Sequence, residues 1–423
     1  MKIIHITASY KPAYIYGGPI QSVGKLCEVL VGNKRWALDA QELNLQVLTT
    51  TANGRNELDV KTSVPVLVEG VTVTYFKRWS KDHSHFSPGL LWGLRKEILR
   101  CAQDDKPSAQ GENKIEMSKL QTLNSKLIIH IHAWWNLVSL LSCFIAKWYK
   151  IPVVLSPRGM LTSYSLGNRN SFSKRIIHKL MGKQLLKYCH IHATSEQEKT
   201  DILKIVEPKS IRVISNLVSL PLDGENYEAL ETSSMEHRAK GRGRLDDSFK
   251  LIFLSRIEEK KGLELLFKAL STIDISWKLT IAGSGERQYV QSLKVLTREL
   301  KLSDKIYWIG QVSNEDKYSL MATHDLLVLT SYNENFANVV VESLSVGTPV
   351  LISEQVGLSD YVKDRALGWV TAVDTTAIKK NITAAHQDPE KRQNIRNIAP
   401  LTIRKDFSDG TLAKEYLEFY KTI

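Results

Sequence analysis

The sequence has few cysteines, and this shortage excludes two classes of protein. Only four occur among 423 residues, and no two of them form a Cys-x-x-Cys pair: Cys27, Cys101, Cys143 and Cys189. A disulfide framework or a thiolate metal site needs closely spaced cysteines, so neither is indicated. We therefore expect buried thiols in a reducing compartment.

The sequence also lacks an apolar run long enough to cross a bilayer. The longest such run, from Leu137 to Ala146, ends at Lys147, well short of the roughly 20 residues that a membrane span requires. The first residues are apolar but soon reach Lys11 and Pro12, which is unlike a signal peptide. We expect a cytoplasmic protein.

Acidic residues are outnumbered, with 45 Asp and Glu against 57 Lys and Arg, and the net charge is +12. An excess of positive charge favours nucleic acid, an anionic membrane surface or a phosphorylated substrate as partner. No zinc-finger spacing and no aromatic ribonucleoprotein motif is present, so we expect no nucleic-acid partner. Hydrophobic residues at 43% exclude wholesale disorder.

Short β-rich runs alternate with longer helical patterns along the chain. The runs in the first half are Ile3–Ile6, Gln46–Thr50, Val71–Phe76, Leu127–Ile131, Val153–Leu155 and His190–Ala193. Those in the second half are Ile211–Ile214, Leu251–Leu254, Trp277–Ile281, Ile306–Ile309, Leu326–Leu329 and Val350–Ile352. Strands that alternate with helices form parallel sheets through right-handed crossovers. The pattern and the length together predict an α/β protein with two doubly wound domains of about 200 residues each.

Apolar periodicity fades between Ser219 and Ser248, and we place the domain junction there. The first domain is predicted over residues 1–220 and the second over residues 249–400. A polar segment from Ala102 to Lys126 is predicted as an exposed insertion loop in the first domain. Residues 401–423 are predicted to form a terminal helix with one apolar stripe.

The most informative segment lies between Asn333 and Pro349, directly after the strand predicted at Leu326–Leu329. Strand, polar turn and helix is the order found at phosphate-binding corners. A helix that begins near Phe336 would aim free backbone N–H groups and the positive end of its dipole at a ligand above the strand. The sequence thus predicts an anion site at this corner.

Glu334 and Glu342 belong to this segment and have seven residues between them. On a helix they would lie roughly 80° apart around the axis and two turns apart along it. Carboxylates accept hydrogen bonds from sugar hydroxyls but repel phosphates, so the pair suits the sugar portions of a nucleotide sugar. Alternatively, Glu334 caps the helix and Glu342 is a solvated surface residue. The following Gly-Thr-Pro turn and the strand at Val350–Ile352 favour the first interpretation.

Arg256 follows the strand Leu251–Leu254, and Lys261 stands at the start of the next helix. A guanidinium and an ammonium near a strand's carboxyl end can bracket a diphosphate and stabilise its charge without a metal. The alternative is that both cations are solvated and paired with Glu258 and Glu259.

Two glycine turns are further candidates. Gly283 follows the strand Trp277–Ile281, where a glycine either allows close approach of a ligand or only links strand to helix. Gly18, in the Gly-Gly pair before a helical run, can present N–H groups to phosphates. That pair departs from Gly-x-Gly-x-x-Gly, which counts against a dehydrogenase.

His130 and His132 end the strand Leu127–Ile131 and lie on the same side of it. No third metal ligand accompanies them, so a metal pair is not expected. His132 is either a ligand contact or a core histidine under the neighbouring tryptophans. The basic amphipathic segment Phe172–Lys187 either rests on anionic lipid headgroups or faces the core with a solvated back.

The segment from Asn333 to Pro349 resembles the signature of the retaining glycosyltransferases of family four, which have the GT-B fold, with Glu, seven residues, Glu and then Gly-Thr-Pro-Val. The resemblance extends to the Arg256 and Lys261-Gly pair and covers nearly the whole chain. It implies two doubly wound Rossmann-like domains facing a cleft, with the final helix crossing back to the N-terminal domain. The first domain would take the acceptor and the second the nucleotide-sugar donor.

The resemblance also implies roles for single residues. Arg256 and Lys261 would bind the donor diphosphate and Glu342 the ribose, while Glu334 and the N–H groups of Phe336, Ala337 and Asn338 would hold the transferred sugar. Gly18 and Gly283 would lie near the donor, and His132 near its hexose. Arg158 stands where many relatives have a histidine, which favours an anion contact over acid–base chemistry.

The implied activity is retaining transfer of a hexosyl unit from a nucleotide diphosphate sugar to a saccharide or lipid-linked glycan, in surface polysaccharide biosynthesis and without a metal cofactor. An anionic membrane surface is a further expected partner. The alternatives are a nucleotide-sugar epimerase of the same fold and a non-catalytic protein that binds anionic glycans or membranes.

Overall fold

The computed structural model describes residues 1–32, 43–82, 84–104, 127–162, 182–221 and 248–423. The chain divides into two compact units, one formed by Met1–Leu217 with Asp409–Ile423 and the other by Val218–Ser408. Within the described ranges, no helix has the length and apolar character that a membrane span needs. Most of the predicted insertion and of the predicted junction lies outside these ranges.

The first unit is built on an eight-stranded sheet. The strands that the structure describes in this unit are β1 Lys2–Ile6, β2 Asn44–Thr50, β3 Ala52–Asn53, β4 Asn56–Glu57, β5 Pro65–Val68, β6 Val71–Phe76, β7 Leu127–His132, β8 Val153–Ser156, β9 His190–Ala193 and β10 Ser210–Val213. Their order is β10-β9-β8-β7-β1-β2-β6-β5, and β3 with β4 forms a separate two-stranded hairpin. Neighbours in the large sheet are parallel except for β5, which runs antiparallel to β6 at the edge.

Helices cover this sheet because its strands are apolar on both faces. The described helices are α1 Gly18–Gly32, α2 Pro88–Asp104, α3 Leu137–Trp148, α4 Lys183–Tyr188 and α5 Glu196–Ile205. Asn136 caps α3 by accepting a hydrogen bond from the backbone N–H of Ser139 at 2.8 Å. One core joins Ile129 and Ile131 of β7 to buried residues of α2 and α3.

The second unit is built on a six-stranded sheet of parallel strands, in the order β13-β12-β11-β14-β15-β16. Its described strands are β11 Phe249–Leu254, β12 Trp277–Ala282, β13 Ile306–Gly310, β14 Leu326–Leu329, β15 Val350–Ser353 and β16 Gly368–Thr371. Its described helices are α6 Leu263–Leu270, α7 Arg287–Glu299, α8 Asp316–Ala322, α9 Asn338–Ser345, α10 Ser359–Asp364, α11 Thr375–Gln387 and α12 Pro389–Asp406. The order is that of a Rossmann fold, in which the direction of strand addition reverses between β11 and β14.

The terminal segment differs from the single helix predicted over residues 401–423. Helix α12 ends at Asp406, and a separate helix, α13, covers Asp409–Lys421. Only the second belongs to the first unit. An ion pair of 2.7 Å joins Lys25 of α1 to Asp409, and the buried face of α13 includes Tyr416, Phe419 and Tyr420.

Candidate functional site

The strands β11 and β14 lie side by side where the order of the second sheet reverses. In open α/β sheets, ligands bind outside the carboxyl ends of the strands at this point, because the two flanking loops diverge and leave a crevice. Arg256 follows β11, and Glu334 follows β14. The fold therefore brings the predicted cation and carboxylate loops to one edge of the sheet.

Lys261 and Glu334 contact each other directly at this edge. The Nζ atom of Lys261 donates a hydrogen bond to Oε2 of Glu334. Lys261 is only 5% exposed, and the Glu334 side chain is 18% exposed. The alternative in which Lys261 is solvated and paired with Glu258 or Glu259 is therefore wrong, since the structure buries it against the carboxylate 73 positions further along the chain.

The pKa values of Glu334 and Lys261 both lie below their usual values, for different reasons. Burial alone would raise the pKa of Glu334, but the charge of Lys261, helped by Lys260 and Arg256, outweighs it and holds that pKa below its usual value. Burial lowers the pKa of Lys261, and the Glu334 carboxylate partly opposes this shift. Glu334 is thus ionised at neutral pH, and it lies among the positive charges of Lys261, Lys260 and Arg256.

The backbone around Lys261 requires a glycine. Gly262 has φ of 66°, and a Cβ atom at this position would lie 2.3 Å from the carbonyl oxygen of Thr330. The Thr330 hydroxyl in turn donates to the Gly262 carbonyl at 3.0 Å. This close approach places Lys261 next to the end of β14. Glu334 lies in the loop that follows this strand.

Glu334 is itself fixed by its own backbone. Its N–H donates to the Gln355 carbonyl at 3.0 Å, and its carbonyl accepts from the Gly357 N–H at 2.8 Å. The carboxylate is therefore positioned by two loops rather than by a helix cap, which was the alternative interpretation.

Arg256 is more open than Lys261. Its Nη1 atom lies 2.7 Å from Oε1 of Glu258, and its side chain is 42% exposed. The pair of Arg256 with Glu258 was predicted by the alternative in which the two cations are solvated and paired with Glu258 and Glu259. An exposed ion pair contributes little to stability, so a phosphate could take the place of Glu258 at small cost.

Helix α9 begins two residues later than expected. Its first residue is Asn338, and Ala337 precedes it with φ of 66°. Phe336 is buried, with its ring centroid 6.1 Å from that of Phe407. The N–H groups of Phe336 and Ala337 thus belong to a tight loop at the start of the helix, because the left-handed residue ends the helical hydrogen bonding there.

Glu342 lies on the buried face of α9. Its Oε1 atom accepts a hydrogen bond from Nζ of Lys317 in α8 at 2.8 Å, and both side chains are less than a tenth exposed. The alternative of a solvated Glu342 is therefore wrong. Lys317 was not predicted from the sequence as a site residue. It lies next to Tyr318 on the buried face of α8.

Gly283 lies against the backbone that leads to Arg256. It has φ of 145°, and a Cβ atom there would lie 1.9 Å from the Ser255 carbonyl oxygen. Its N–H donates to the Gly310 carbonyl at 2.7 Å. The glycine thus allows close packing of two loops at the carboxyl ends of β11 and β12.

In the first unit, His132 is a buried histidine. It is 1% exposed, and its Nε2 atom lies 2.9 Å from Nδ1 of His5, while its Nδ1 atom has no partner within the described residues. Burial and the neighbouring histidines hold its pKa well below the usual value. The structure thus places His132 in the core, as its alternative interpretation expected.

Sequence reasoning also missed His5, which pairs in register with His130 on the adjacent strand. His5, His130 and His132 have ligand atoms within 4.8 Å of one another, so a third histidine does accompany the pair. His130, however, uses both ring nitrogens, with Tyr420 at 2.7 Å and Ser156 at 2.7 Å. The cluster is organised as a hydrogen-bonded network rather than as a set of free metal ligands.

Arg158 and Gly18 lie in the same unit. Nη1 of Arg158 donates to Ser22 at 2.9 Å and to Asn216 at 3.1 Å, and burial lowers the pKa of its guanidinium. Gly18 is the first residue of α1, and the left-handed residue is the preceding Gly17, with φ of 70°.

Two family profiles match the chain. Residues 235–402 match the family described as Glycosyl transferases group 1, and residues 118–221 match Glycosyltransferase Family 4. Together they cover well over half of the chain.

Curated relatives agree with these matches. An uncharacterized glycosyltransferase of Methanocaldococcus jannaschii is 26% identical over 433 aligned residues, which span 100% of this chain and 98% of the relative. The GDP-mannose:cellobiosyl-diphosphopolyprenol alpha-mannosyltransferase of Xanthomonas campestris is 28% identical over 248 residues, 57% of this chain and 59% of the relative.

Solved structures share the fold. Anabaena HepE, crystallised with UDP and glucose, aligns over 100% of both chains with a TM-score of 0.68 and 17% identity. WaaG, a glycosyltransferase involved in lipopolysaccharide biosynthesis, aligns over 99% of both chains with a TM-score of 0.65 and 13% identity. The shared architecture is the GT-B fold, with two Rossmann-like domains.

Proposed function

We propose that this chain, which belongs to the glycosyl transferases of group 1 and has the GT-B fold, moves a hexosyl unit from a nucleoside diphosphate sugar to a saccharide or lipid-linked glycan with retention of configuration. The observation that carries the proposal is the corner formed by Arg256, Lys261 and Glu334 at the switch point of the second sheet. Two cations and a fixed carboxylate there match the diphosphate and the sugar hydroxyls of such a donor.

The leaving group is a nucleoside diphosphate, and its developing negative charge must be stabilised. Lys261 is held in place by Glu334, and Arg256 can exchange its exposed partner Glu258 for a phosphate oxygen. Positioned cations in a partly desolvated site stabilise such charge without reorganising during the reaction. Arg256 and Lys261 would fill this role without a metal.

Glu334 and Glu342 would accept hydrogen bonds from hydroxyl groups of the donor. Each carboxylate accepts a hydrogen bond from a largely buried lysine, Glu334 from Lys261 and Glu342 from Lys317. Glu334, at the exposed end of the corner, would bind the transferred sugar together with the N–H groups of 336–338. Glu342, on the buried face of α9, would bind the ribose.

The reaction would break the bond between the anomeric carbon and the diphosphate oxygen. The acceptor hydroxyl oxygen would form the new bond on the same face, and its proton would pass to the departing phosphate oxygen. This step needs no covalent enzyme intermediate, and none of the side chains placed at the corner is assigned as a nucleophile.

Thermal unfolding with a panel of nucleotide sugars tests the proposal first, because a ligand that binds the native state raises its stability. UDP-glucose and GDP-mannose are the first probes, since UDP and glucose occupy the Anabaena HepE structure and GDP-mannose is the donor in the name of the X. campestris relative. We expect one donor to raise the melting temperature in the wild type and not in Arg256→Gln.

Product analysis then separates the alternatives. Incubation with the stabilising donor alone should leave the sugar unchanged apart from slow hydrolysis, whereas an epimerase would convert it. No stabilisation by any nucleotide sugar would contradict the proposal and favour a non-catalytic binding protein.

A further inference from the structure

The sequence predicts contact with an anion at two places in the first unit. One is the segment Phe172–Lys187, but residues 163–181 lie outside the described ranges, so its contact with lipid headgroups stays a prediction. The other is Arg158, which comes two residues after β8, and the structure describes the groups that surround it.

Arg158 lies beside the point where the first sheet changes its direction of growth. From β1, the chain adds β2, β5 and β6 on one side and then β7, β8, β9 and β10 on the other. In open α/β sheets, ligands bind outside the carboxyl ends of the strands at this point. Arg158 belongs to the loop after β8, the neighbour of β7, and its Nη1 atom donates at 2.9 Å to Ser22 of α1, the helix that follows β1. The side chain thus reaches from one side of this point to the other.

The guanidinium of Arg158 forms no ion pair with any residue that the structure describes. Its Nη1 atom donates to two neutral oxygens, those of Ser22 at 2.9 Å and Asn216 at 3.1 Å. Its Nε atom is buried and has no hydrogen-bond partner in the described ranges. Arg158 is therefore a partly buried positive charge with a donor to spare.

Glu198 is the carboxylate near Arg158, but its oxygens are already used. Oε1 accepts from the N–H of Gly159 at 2.6 Å, and Oε2 accepts from the N–H of Thr194 at 2.7 Å. Arg158 itself has φ of 54° and Gly159 has φ of 77°. The left-handed region is unfavourable for an arginine, and folds keep such strain mainly where a side chain must be positioned for binding. Glu198 thus fixes the loop that carries Arg158 rather than neutralising its charge.

The thiol, phenol and imidazole groups near this guanidinium are uncharged at neutral pH. Burial raises the pKa values of the thiol and the phenols above their usual range and lowers those of the imidazoles below it. These groups belong to Cys27, Tyr416, Tyr420, His5 and His132. A partly buried charge without a counter-ion is costly, so an anionic ligand would supply what the protein does not.

We propose that Arg158 binds an oxyanion carried by the acceptor saccharide, either the carboxylate of a uronic acid or the phosphate of a phosphorylated sugar. A guanidinium presents its N–H donors as a planar fork that matches both groups, and the unpartnered Nε belongs to that fork. The inference rests on the proposed transfer reaction and narrows its acceptor to a negatively charged sugar.

Binding of acceptor probes without donor tests the inference. The charged probes are the methyl glycosides of glucuronic and galacturonic acid, and methyl glucoside and methyl galactoside phosphorylated on the primary hydroxyl. The unmodified methyl glycosides of glucose and galactose are the neutral counterparts. In NMR titrations of the full chain, we expect a charged probe to bind at least about tenfold more tightly than its neutral counterpart, because hydrogen bonds between charged groups contribute more than neutral ones. Whether that probe is a uronide or a phosphate identifies the source of the oxyanion.

Variants assign the preference to Arg158. Arg158→Gln should remove it, whereas Arg158→Lys should keep part of it, because lysine retains the charge but not the planar fork. Arg212→Gln is the matched control, since Arg212 is 37% exposed in the same unit and its ion pair with Glu418 lies at the surface. Ser22→Ala keeps the guanidinium but removes a group that orients it, so it should reduce the preference about threefold even if Arg158→Gln fails to fold.

Calorimetry with UDP and GDP separates this inference from the proposed reaction. Arg158→Gln should bind the nucleoside diphosphate as the wild type does. Wild-type protein that binds a diphosphate but no charged sugar more tightly than its neutral counterpart would overturn the inference and leave the reaction standing. A preference that survives in Arg158→Gln, or diphosphate binding that weakens about tenfold in this variant, would also overturn it. Failure of the proposed reaction has a different signature, namely no binding of any nucleoside diphosphate to the wild type.

Discussion

Replacing Lys261 with methionine separates the two roles that the structure gives this side chain. Lys261→Met keeps the buried aliphatic stem but removes the charge that contacts Glu334. Loss of one partner of a buried ion pair typically costs about 3 to 5 kcal/mol, because the other charge stays buried without compensation. Glu334 keeps 18% side-chain exposure and the nearby charges of Arg256 and Lys260. We therefore expect the free energy of unfolding to fall by about 2 to 3 kcal/mol, which is at or below the lower limit of that range.

The same change should lower turnover by about 10² to 10³-fold, the usual effect of removing one preorganised charge-stabilising group. Urea denaturation measures the first effect, and the rate of sugar transfer from the stabilising donor measures the second. Adding Glu334→Gln should recover most of the lost stability, since the unpaired carboxylate is gone, but not the turnover. Lys268→Met is the control, because it removes the positive charge of an exposed lysine of α6. Recovery of turnover in the double variant, or near-normal turnover in Lys261→Met, would refute the reasoning.

Three further predictions concern other parts of the two units. Burial lowers the pKa of His5 and of His192 to about 3, so the unfolded chain binds more protons than the native one below pH 6.5. The free energy of unfolding should be greatest above pH 6.5 and should fall as the pH drops towards 3, by about 2 kcal/mol per histidine between pH 7 and pH 5. In urea denaturation, the free energy of unfolding of His192→Gln should therefore fall by about 2 kcal/mol less than that of the wild type over this interval. Glu342→Gln should weaken binding of the nucleoside diphosphate about tenfold in calorimetry, and unchanged affinity would remove this carboxylate from the site. Gly262→Ala should cost at least about 1 kcal/mol more stability than Gly310→Ala, because both have positive φ but only the first new Cβ atom meets a carbonyl oxygen.

Much of the fold was predictable because apolar runs mark buried parallel strands. Each strand predicted from the sequence occurs within two residues of its expected bounds, and Val71–Phe76, His190–Ala193 and Leu326–Leu329 match at both ends. The strands that were missed are short: β3 and β4 have two residues each, and β5 and β16 have four residues each. β5 begins with a proline and has an exposed leucine, and β16 begins with a glycine, so neither has the composition typical of a buried central strand.

The corner at β11 and β14 was predictable as a set of residues, but its internal pairing was not. The motif spacing indicated Arg256, Lys261 and Glu334, whereas the contact between Lys261 and Glu334 depends on the order of the strands in the sheet. The partner of Glu342 was missed for the same reason, since Lys317 lies on a different helix, 25 positions away. The late start of α9 depends on the left-handed Ala337, a conformation that an alanine does not signal.

The histidine cluster of the first unit also includes a contact that could not be predicted from local sequence. Alternation along β7 placed His130 and His132 together, but His5 joins them only because β1 pairs with β7 in register. Long-range register is set by the whole sheet, so a single strand's sequence does not reveal it.

Calorimetric binding of nucleoside diphosphates tests the central claim most directly, with UDP and GDP compared with uridine and guanosine. If the corner binds a diphosphate, one of the two diphosphates should bind the wild type at least about a hundredfold more tightly than its nucleoside, a difference of about 2.7 kcal/mol. Arg256→Gln combined with Lys261→Met should remove most of that difference. Equal affinity for nucleoside and diphosphate, or an undiminished preference in the double variant, would contradict the account.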